Sequence, residues 1–214
     1  MLLILISCKI NPQQQVGNDL KIEIQNSIIE IDIKKPDVEE QIFNLKYRIY
    51  NNSEENYAII IDTTKVFSYS SNFDISNYLQ DKNPNRLKQI FQPGIKLKKI
   101  NIEFDYTDNY FNQLPSLNET IKNYLIVIKP KSYVEYNLRL VYPYTVNNGL
   151  GESFSILTYI PKEKSGSLEI FLYQNNKIIT DNIDDKLLKE LNAKKIKFYN
   201  GILSSNEVPL ILKK

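Results

Sequence analysis

The feature that most constrains this chain is a repeated alternation of apolar and polar residues in short runs. Leu20, Ile22 and Ile24, for example, alternate with charged residues. Such a period of two is typical of a strand that has one face in a core and the other in water. Candidate strands lie at residues 20–24, 29–33, 43–49, 57–62, 95–97, 100–104, 124–128, 134–140, 153–160, 167–173 and 208–212. We therefore predict a mostly β fold, an antiparallel β-sandwich, with a barrel as the alternative.

The interruptions between these runs suggest how the strands connect. Gln25-Asn26-Ser27 is either a turn or a bulge that lets one strand change sheets. A polar turn at residues 51–56 predicts a hairpin between the runs on either side of it. A turn that contains Pro130 predicts a second pair of adjacent strands, 124–128 with 134–140. The last run, residues 208–212, is predicted to be an edge or final strand.

Two stretches lack the period and are predicted to be long loop insertions. Residues 63–93 are rich in Asn, Ser, Asp and Pro, with a candidate short helix at residues 86–91. Residues 108–119 form the second irregular stretch. Both are predicted to lie between strands of the sandwich.

One short helix is predicted near the C-terminus. Asn182 is its predicted cap, and the acidic residues after it suit the positive end of a helix. The apolar residues of the helix, Leu187, Leu188 and Leu191, share one face. Asn175-Asn176 precedes it and predicts a turn into a strand at Ile178 and Ile179.

The strand, Asn-rich turn and strand of residues 44–62, together with the Pro-Lys turn and strand of residues 129–140, resemble immunoglobulin-like domains of bacterial envelope proteins. These elements carry no cysteine pair and no tryptophan. The resemblance implies an immunoglobulin-like sandwich and transfers no function.

The first eight residues resemble the end of a bacterial lipoprotein signal peptide of the Bacteroidota type. Leu5, Ile6 and Ser7 match the aliphatic, variable and small positions before Cys8, which is the only cysteine. The resemblance implies that Cys8 is lipidated and binds membrane lipid. Residues 9–18 then form a flexible tether, and residues 19–214 form a single β-rich domain. The alternative is that residues 2–6 form a buried edge strand with Cys8 as a core residue.

The resemblance also implies an address in the cell envelope. Acidic residues just after the cysteine favour surface display in such lipoproteins, and here Lys9 follows Cys8 directly. We therefore expect a lipid-anchored protein of the outer membrane that faces the periplasm.

Composition removes several classes of function. The 214 residues include no histidine, the commonest general base and metal ligand, and no tryptophan, the best stacking surface for sugars. The formal net charge of +2 gives no reason to expect a nucleic-acid partner. A single cysteine also excludes an internal disulfide.

Several groups of residues are candidate sites of chemistry. For each of them a structural role is the preferred interpretation. An acidic cluster near the C-terminus suits a hard cation, but helix capping explains it: Asp181, Asn182, Asp184 and Asp185. Paired carboxylates for glycosidic chemistry would have to come from Glu103, Asp105, Glu119 or Glu152. Serine–lysine pairs in exposed turns are Ser132 with Lys129 or Lys131, and Ser165 with Lys164. Gly149-Leu150-Gly151 is a turn rather than a phosphate loop.

Tyrosine is abundant in the second half of the chain and offers a candidate recognition surface. The residues concerned are Tyr106, Tyr110, Tyr133, Tyr136, Tyr142, Tyr144 and Tyr159, with Tyr142-Pro143-Tyr144 as the predicted centre. Asp62-Thr63-Thr64 resembles the short acceptor motif of O-glycosylation in Bacteroidota envelope proteins. Both have a plainer explanation, as half-buried strand residues and as a chance tripeptide.

We therefore predict a non-enzymatic binding or assembly module with no catalytic, cofactor or metal residues. The alternatives are a carboxylate-dependent hydrolase of envelope polysaccharide and an inhibitor or immunity-type protein. The first alternative requires two facing carboxylates, and the second requires an exposed apolar patch.

Overall fold

Most of the alternating runs form strands in the computed structural model, which describes residues 19–32, 41–63, 67–69, 91–100, 116–142 and 164–213. Within these residues the fold is mostly β, with twelve strands and three helices. The strands are β1 (Leu20–Ile24), β2 (Ile29–Asp32), β3 (Gln41–Asn51), β4 (Asn56–Ile60), β5 (Phe67–Tyr69), β6 (Gly94–Lys98), β7 (Leu125–Ile128), β8 (Ser132–Tyr142), β9 (Ser165–Gln174), β10 (Ile196–Phe198), β11 (Gly201–Ser204) and β12 (Val208–Lys213). The helices are α1 (Leu117–Tyr124), α2 (Asn176–Asn182) and α3 (Asp185–Ala193).

The described strands form three sheets. Sheet 1 has the order β1-β3-β8, and its neighbours are antiparallel. Sheet 2 has the order β2-β12-β9-β6-β5, with β11 also paired to β9. Sheet 3 has the order β10-β4-β7. β12 is the last strand of the described residues, in agreement with one of the two predicted alternatives, and it lies between β2 and β9 instead of at an edge.

Sheets 1 and 2 contribute side chains to one apolar cluster, as the sheets of a β-sandwich do. We call this cluster the sandwich core. Its buried members are Leu20, Ile22, Ile24, Ile29, Ile31, Leu45, Tyr47, Ile49, Ile59, Ile61, Ile95, Leu97, Ile100, Ile128, Leu138, Leu140, Leu168, Ile170, Leu172, Tyr199, Leu203, Val208, Leu210 and Leu212. Burial alternates along the strands, as in β9, where Leu168, Ile170 and Leu172 face inward.

The predicted change of sheet at Gln25-Asn26-Ser27 is confirmed. β1 lies in sheet 1, whereas β2 pairs in parallel with β12 in sheet 2. The two runs are therefore two strands joined by a polar bend, and they pack on the same core from opposite sides.

The two predicted strand pairs are wrong. β3 pairs with β8 in sheet 1, and β4 pairs with β7 in sheet 3. The four strands thus form one antiparallel ribbon that turns a corner, with Asn51 opposite Ser132 before the corner and Tyr57 opposite Ile128 after it. A polar turn between two apolar runs has the same sequence signature whether the chain reverses or bends.

A buried side chain holds this corner together. Asn51 is 1% exposed, and its Nδ2 donates to the carbonyl oxygens of Glu55 at 2.7 Å and Ile128 at 2.9 Å. Its Oδ1 accepts from the backbone N–H of Ser53 at 3.0 Å. One amide therefore satisfies backbone groups on both strands of the ribbon where their ladder is interrupted.

Two further side-chain amides join strands of different sheets. Gln174, at the end of β9, is fully buried and makes two 2.8 Å bonds with the backbone N–H and C=O of Ile60 in β4. Asn206 does the same for Ile24 at the end of β1, at 2.8 and 3.3 Å. In each case the amide replaces a missing strand neighbour.

β4, the central strand of sheet 3, is buried on both faces from Ala58 to Ile60. Ile59 and Ile61 point into the sandwich core, while Ile60 packs against the helices. We call the second cluster the helical cluster, and its buried members are Ile60, Phe91, Ile121, Ile179, Ile183 and Leu191. Because both faces are buried, the strand is a continuous apolar run.

The prediction of one helix near the C-terminus is wrong in number. The predicted helix is α3, and its Leu191 belongs to the helical cluster. Its cap is Asp184. The predicted cap, Asn182, is the last residue of a second helix, α2. The predicted strand at Ile178 and Ile179 belongs to α2. The Asn175 side chain accepts from the N–H groups of Lys177 and Ile178 and so starts a helix there.

α1 occupies part of the second predicted loop. Ser116 and Glu119 form a capping box, a Ser-x-x-Glu signal that is visible in the sequence. Tyr124 is therefore the end of a helix, and the strand begins at Leu125.

Several predictions lie partly or wholly outside the described residues. These include the signal peptide at residues 1–8, the tether at 9–18, the candidate helix at 86–91 apart from Phe91, residues 102 and 104, and the strand at 153–160. Inside the first predicted loop, β5 pairs in parallel with β6, so that this stretch contains at least one strand.

Candidate functional site

In the acidic cluster near the C-terminus, Asp184 is a helix cap, the role that the sequence predicted for Asn182. Asp184 accepts from the N–H groups of Lys186 at 2.8 Å and Leu187 at 3.3 Å, and it pairs with Lys122 of α1 at 3.0 Å. The Lys122 hydrogen bond and these backbone bonds hold the pKa of Asp184 below its usual range. In the described part of the chain no three candidate ligands gather as a metal site would require.

Of the carboxylates considered for glycosidic chemistry, the structure describes only Glu119. Glu119 belongs to the capping box of α1, and Glu103, Asp105 and Glu152 lie outside the described residues. The structure brings no second member of that set to Glu119 within the ranges it describes.

Another pair of carboxylates meets at Lys98 on sheet 2. The Lys98 ammonium bonds to Glu207 and lies 3.8 Å from Glu169 Oε2, and Ser167 donates to Glu207 at 2.8 Å. The hydrogen bond from Lys98 lowers the pKa of Glu207. A glycosidic general acid needs a raised pKa, so this group has the character of a surface ion-pair network.

The serine–lysine pair at the ribbon corner is structural. Ser132 Oγ donates to the carbonyl of Lys129 at 2.7 Å. Lys131 is exposed, pairs with Glu54 at 2.9 Å and donates to the carbonyl of Asn52 at 2.7 Å. Lys164 and Ser165 are also exposed, and 149–151 lie outside the described residues. An exposed, paired lysine does not serve as a general base.

Sheet 1 has an outward face of polar and aromatic side chains. The strand register places Lys21, Tyr50 and Tyr133 side by side across β1, β3 and β8. The next outward row is Glu23, Arg48 and Glu135. Tyr133 is 50% exposed, which is unusual for a large aromatic side chain among the described residues.

These side chains are ordered by contacts with one another. The rings of Tyr50 and Tyr133 are 5.4 Å apart between centroids and tilted by 48°. The Arg48 guanidinium carbon lies 4.7 Å from the centroid of the Tyr133 ring. Arg48 Nε also donates to Glu135 Oε2 at 2.7 Å. We call Lys21, Arg48, Tyr50, Tyr133 and Glu135 the Tyr133 surface.

Ion pairs balance much of the charge around this surface. Lys46 Nζ is 2.9 Å from Glu135, and Lys21 Nζ is 2.5 Å from Glu23. Hydrogen bonds from Lys46 and Arg48 hold the pKa of Glu135 below its usual range, so its carboxyl is ionised at neutral pH. The surface therefore presents fixed donors and a fixed acceptor.

The opposite face of the same strands carries two inward tyrosines. Tyr47 is fully buried and Tyr136 is half-buried, with ring centroids 5.6 Å apart. Burial raises the pKa of Tyr47, and its hydroxyl has no hydrogen-bond partner among the described residues. Of the predicted tyrosines, Tyr133 thus faces solvent and Tyr136 faces the core.

Most of the remaining sequence candidates fall on residues or side chains that the structure does not describe. Tyr106, Tyr110, Tyr144 and Tyr159 lie outside the described residues, as does the side chain of Tyr142, so that the predicted centre at 142–144 is not described. In the Asp62-Thr63-Thr64 motif, Asp62 is buried, its N–H donates to the carbonyl of Phe91 at 2.9 Å, and Thr64 is not described.

Sequence reasoning missed Arg48 and Tyr50 as members of the surface. They follow from the alternation of side chains along a strand. Leu45, Tyr47 and Ile49 are buried in β3, so Arg48 and Tyr50 point to the opposite face. Their proximity to Tyr133 depends on the β3–β8 register, which the expected hairpin placed elsewhere.

Comparison of the chain with protein-family models, with curated proteins and with solved structures found no match. The described helices, of seven to nine residues each, do not reach the length and apolarity that a membrane span requires.

Proposed function

We propose that this chain is a non-enzymatic binding or assembly module held in the cell envelope by lipid on Cys8. In this proposal residues 1–8 end a lipoprotein signal peptide and residues 9–18 are the tether. Residues 19–214 are then a single domain that faces the periplasm at the outer membrane. The motif Leu5-Ile6-Ser7-Cys8 supports the anchor. The exposed, ordered Tyr133 surface is the observation that carries the binding function.

The Tyr133 surface suits recognition because its side chains are already restrained. Tyrosine offers contact area at a low entropic cost, and Arg48 is held by both a ring and a carboxylate. All of these residues stand on strands, whose positions are fixed by the sandwich core behind them. A partner therefore meets a surface that needs little further ordering.

We also propose that the sandwich is of the immunoglobulin-like type. The support is that the first strand divides between the two sheets and that both sheets pack on one core. An experimental structure that placed β2 and β12 in different sheets would contradict this strand arrangement.

The anchor is tested by fractionation of cells that carry Cys8→Ser or Ser7→Ala. Cys8→Ser is expected to move the protein from the membrane fraction to the soluble fraction without a change in melting temperature. Ser7→Ala keeps a small residue before the cysteine and is expected to stay with the membrane. A Cys8→Ser protein that melts earlier and fractionates unchanged would show instead that Cys8 is a core residue.

Binding is tested by capture from solubilised native envelope with the full chain. The wild-type protein and Ile202→Ala, which alters an exposed residue on β11, are expected to retain the same material. Tyr133→Ala is expected to lose it. Turnover of a glycan, peptide or ester panel by the purified protein would overturn the non-enzymatic proposal, and identical capture by all three proteins would overturn the role of the surface.

A further inference from the structure

We infer that the Tyr133 surface binds an uncharged polysaccharide chain through ring stacking on Tyr133 and hydrogen bonds to Arg48 and Glu135. This inference rests on the proposed binding function and names the class of its ligand. It follows from three properties of the surface: an accessible aromatic ring, fixed hydrogen-bonding groups beside it, and locally compensated charge.

The accessible ring is the first property. A sugar ring has a face of C–H groups that packs on the face of an aromatic ring, which carries partial negative charge. Tyr133 keeps half of its surface exposed even with Arg48 against it, and Tyr50 lies beside it in the same cross-strand row. The two rings, tilted by 48° to each other, form an aromatic platform across β3 and β8.

The second property is the set of polar groups at the edge of this platform. The guanidinium of Arg48 presents several N–H donors in one plane, and the Glu135 carboxylate accepts several bonds. Paired hydroxyls of a sugar can donate to such a carboxylate and accept from such a guanidinium. Because Arg48 and Glu135 are already bonded at 2.7 Å, both are held in place before a ligand arrives.

The third property is charge compensation. Arg48 and Lys46 share Glu135, and Lys21 is paired with Glu23. A strongly acidic or basic chain would have to compete with these ion pairs, whereas a neutral chain of hydroxyls does not. Each charged residue of the Tyr133 surface is thus already paired, which is compatible with an uncharged polysaccharide as the ligand.

The composition of the outward rows argues against a protein partner. In the four rows of sheet 1 from Tyr50–Tyr133 to Asn44–Arg139, the outward side chains are Lys21, Glu23, Asn44, Lys46, Arg48, Tyr50, Tyr133, Glu135, Asn137 and Arg139. None of these is aliphatic. Tyrosine and arginine are common in protein interfaces, but the centres of such interfaces are depleted in charge, and here six of the ten outward side chains are charged.

The test is electrophoresis of the full chain, kept in detergent, through native gels that contain a soluble neutral glucan, mannan, arabinoxylan or galactan. At least one of these polymers is expected to retard the wild-type protein. Tyr133→Ala is expected to weaken binding about tenfold, equivalent to about 1.4 kcal/mol. Tyr133→Phe keeps the ring and is expected to bind nearly as well, and Ile202→Ala, on β11 of sheet 2, is the control for an exposed residue outside the surface.

Each other outcome overturns the inference. Retardation by none of the four polymers, or only by polygalacturonate as an acidic probe, excludes a neutral chain as the ligand. Equal loss in Tyr133→Ala and Ile202→Ala assigns the effect to stability instead of the surface. Capture of a single envelope protein that Tyr133→Ala abolishes, with no retardation, keeps the proposed binding function while rejecting the glycan. Concentration-dependent dimers that Tyr133→Ala abolishes would identify a second copy as the occupant.

Discussion

The sandwich core and the helical cluster meet at one strand but are built differently. In the sandwich core, alternate residues of strands from sheets 1 and 2 face each other. In the helical cluster, three short helices cover one face of sheet 3. Ile59 and Ile60 are neighbours in β4, both fully buried, and belong to different clusters.

The difference shows which part of the fold depends on the other. Sheet 3 contributes Ile59, Ile61 and Ile128 to the sandwich core, and its other face is covered by the helical cluster. Sheets 1 and 2 make most of their own buried surface. We therefore expect the helices to open more easily than the sandwich and the sandwich to survive without them.

The largest expected effect tests this dependence with a matched pair on β4. Ile59→Ala and Ile60→Ala each shorten a fully buried isoleucine to alanine. Each substitution is expected to lower the free energy of unfolding by about 2–5 kcal/mol. Ile59→Ala should destabilise the whole domain, whereas Ile60→Ala should mainly increase amide hydrogen exchange in α1, α2 and α3. Denaturant unfolding followed by hydrogen exchange measures both.

A control and a contrary result complete this test. Ile202→Ala changes the same residue type where it is 43% exposed and should alter stability little. Equal acceleration of exchange in the helices and in β9 by Ile60→Ala would mean that the two clusters open as one unit.

The next effect concerns the amides that join the sheets. Gln174→Leu keeps the size of the side chain but leaves the buried N–H and C=O of Ile60 without their partners, at a cost of about 2–4 kcal/mol. Asn206→Leu removes the corresponding bonds to Ile24. Because Asn206 is exposed, water can replace these bonds. We expect a loss of about 0.5–1.5 kcal/mol there. Chemical denaturation compares the two, and equal losses would contradict the role of burial.

Much of the sandwich could be predicted because alternation reports one buried face. The inward residues of β9, Leu168, Ile170 and Leu172, follow from period alone. Pairing could not be predicted in the same way. Whether the turn after Asn51 reverses or bends depends on a buried amide that reaches across to Ile128, a contact 77 residues apart in the chain.

The helical cluster was harder to predict because its signals are local and short. Ile178-Ile179 is too short to show a period, and the cap on Asn175 decides that the segment is helical. The candidate site shows the same limit. Tyr133 could be proposed from composition, but its neighbours Arg48 and Tyr50 lie on another strand and follow only from register.

A smaller effect on stability is expected to have opposite signs for two tyrosine-to-phenylalanine substitutions. The Tyr47 hydroxyl is buried in the sandwich core without a hydrogen-bond partner among the described residues, so Tyr47→Phe is expected to raise stability by about 1–2 kcal/mol. The Tyr57 hydroxyl, in sheet 3, donates to Asp19 at 2.6 Å, and Tyr57→Phe is expected to lower stability by about 1 kcal/mol. Burial, together with this bond, raises the pKa of Tyr57 to about 12. Thermal unfolding of the two variants checks the signs, and a loss of stability in Tyr47→Phe would point to a hydrogen-bond partner for that hydroxyl.

The smallest effect concerns the attachment of α3 to α1 and depends on pH. Asp184 caps α3 and pairs with Lys122, and these contacts lower its pKa from the ordinary value of 3.8. A group whose pKa is lower in the folded state adds stability above its unfolded pKa and loses it as the pH falls through its folded pKa. Asp184→Asn keeps a capping oxygen but removes the charge, whereas Asp184→Ala removes both.

The melting temperature should therefore fall by a small amount in Asp184→Asn and by a larger one in Asp184→Ala when both are measured near neutral pH. The difference between the wild type and Asp184→Asn should be constant above about pH 5 and shrink as the pH falls below about 4, because Asp184 then becomes protonated. Asp185→Asn alters the next residue, which is exposed, and serves as the matched control. A difference that does not change with pH would mean that the carboxylate of Asp184 holds α3 by its shape and hydrogen bonds alone, and that its pairing with Lys122 does not contribute to the attachment of α3 to α1.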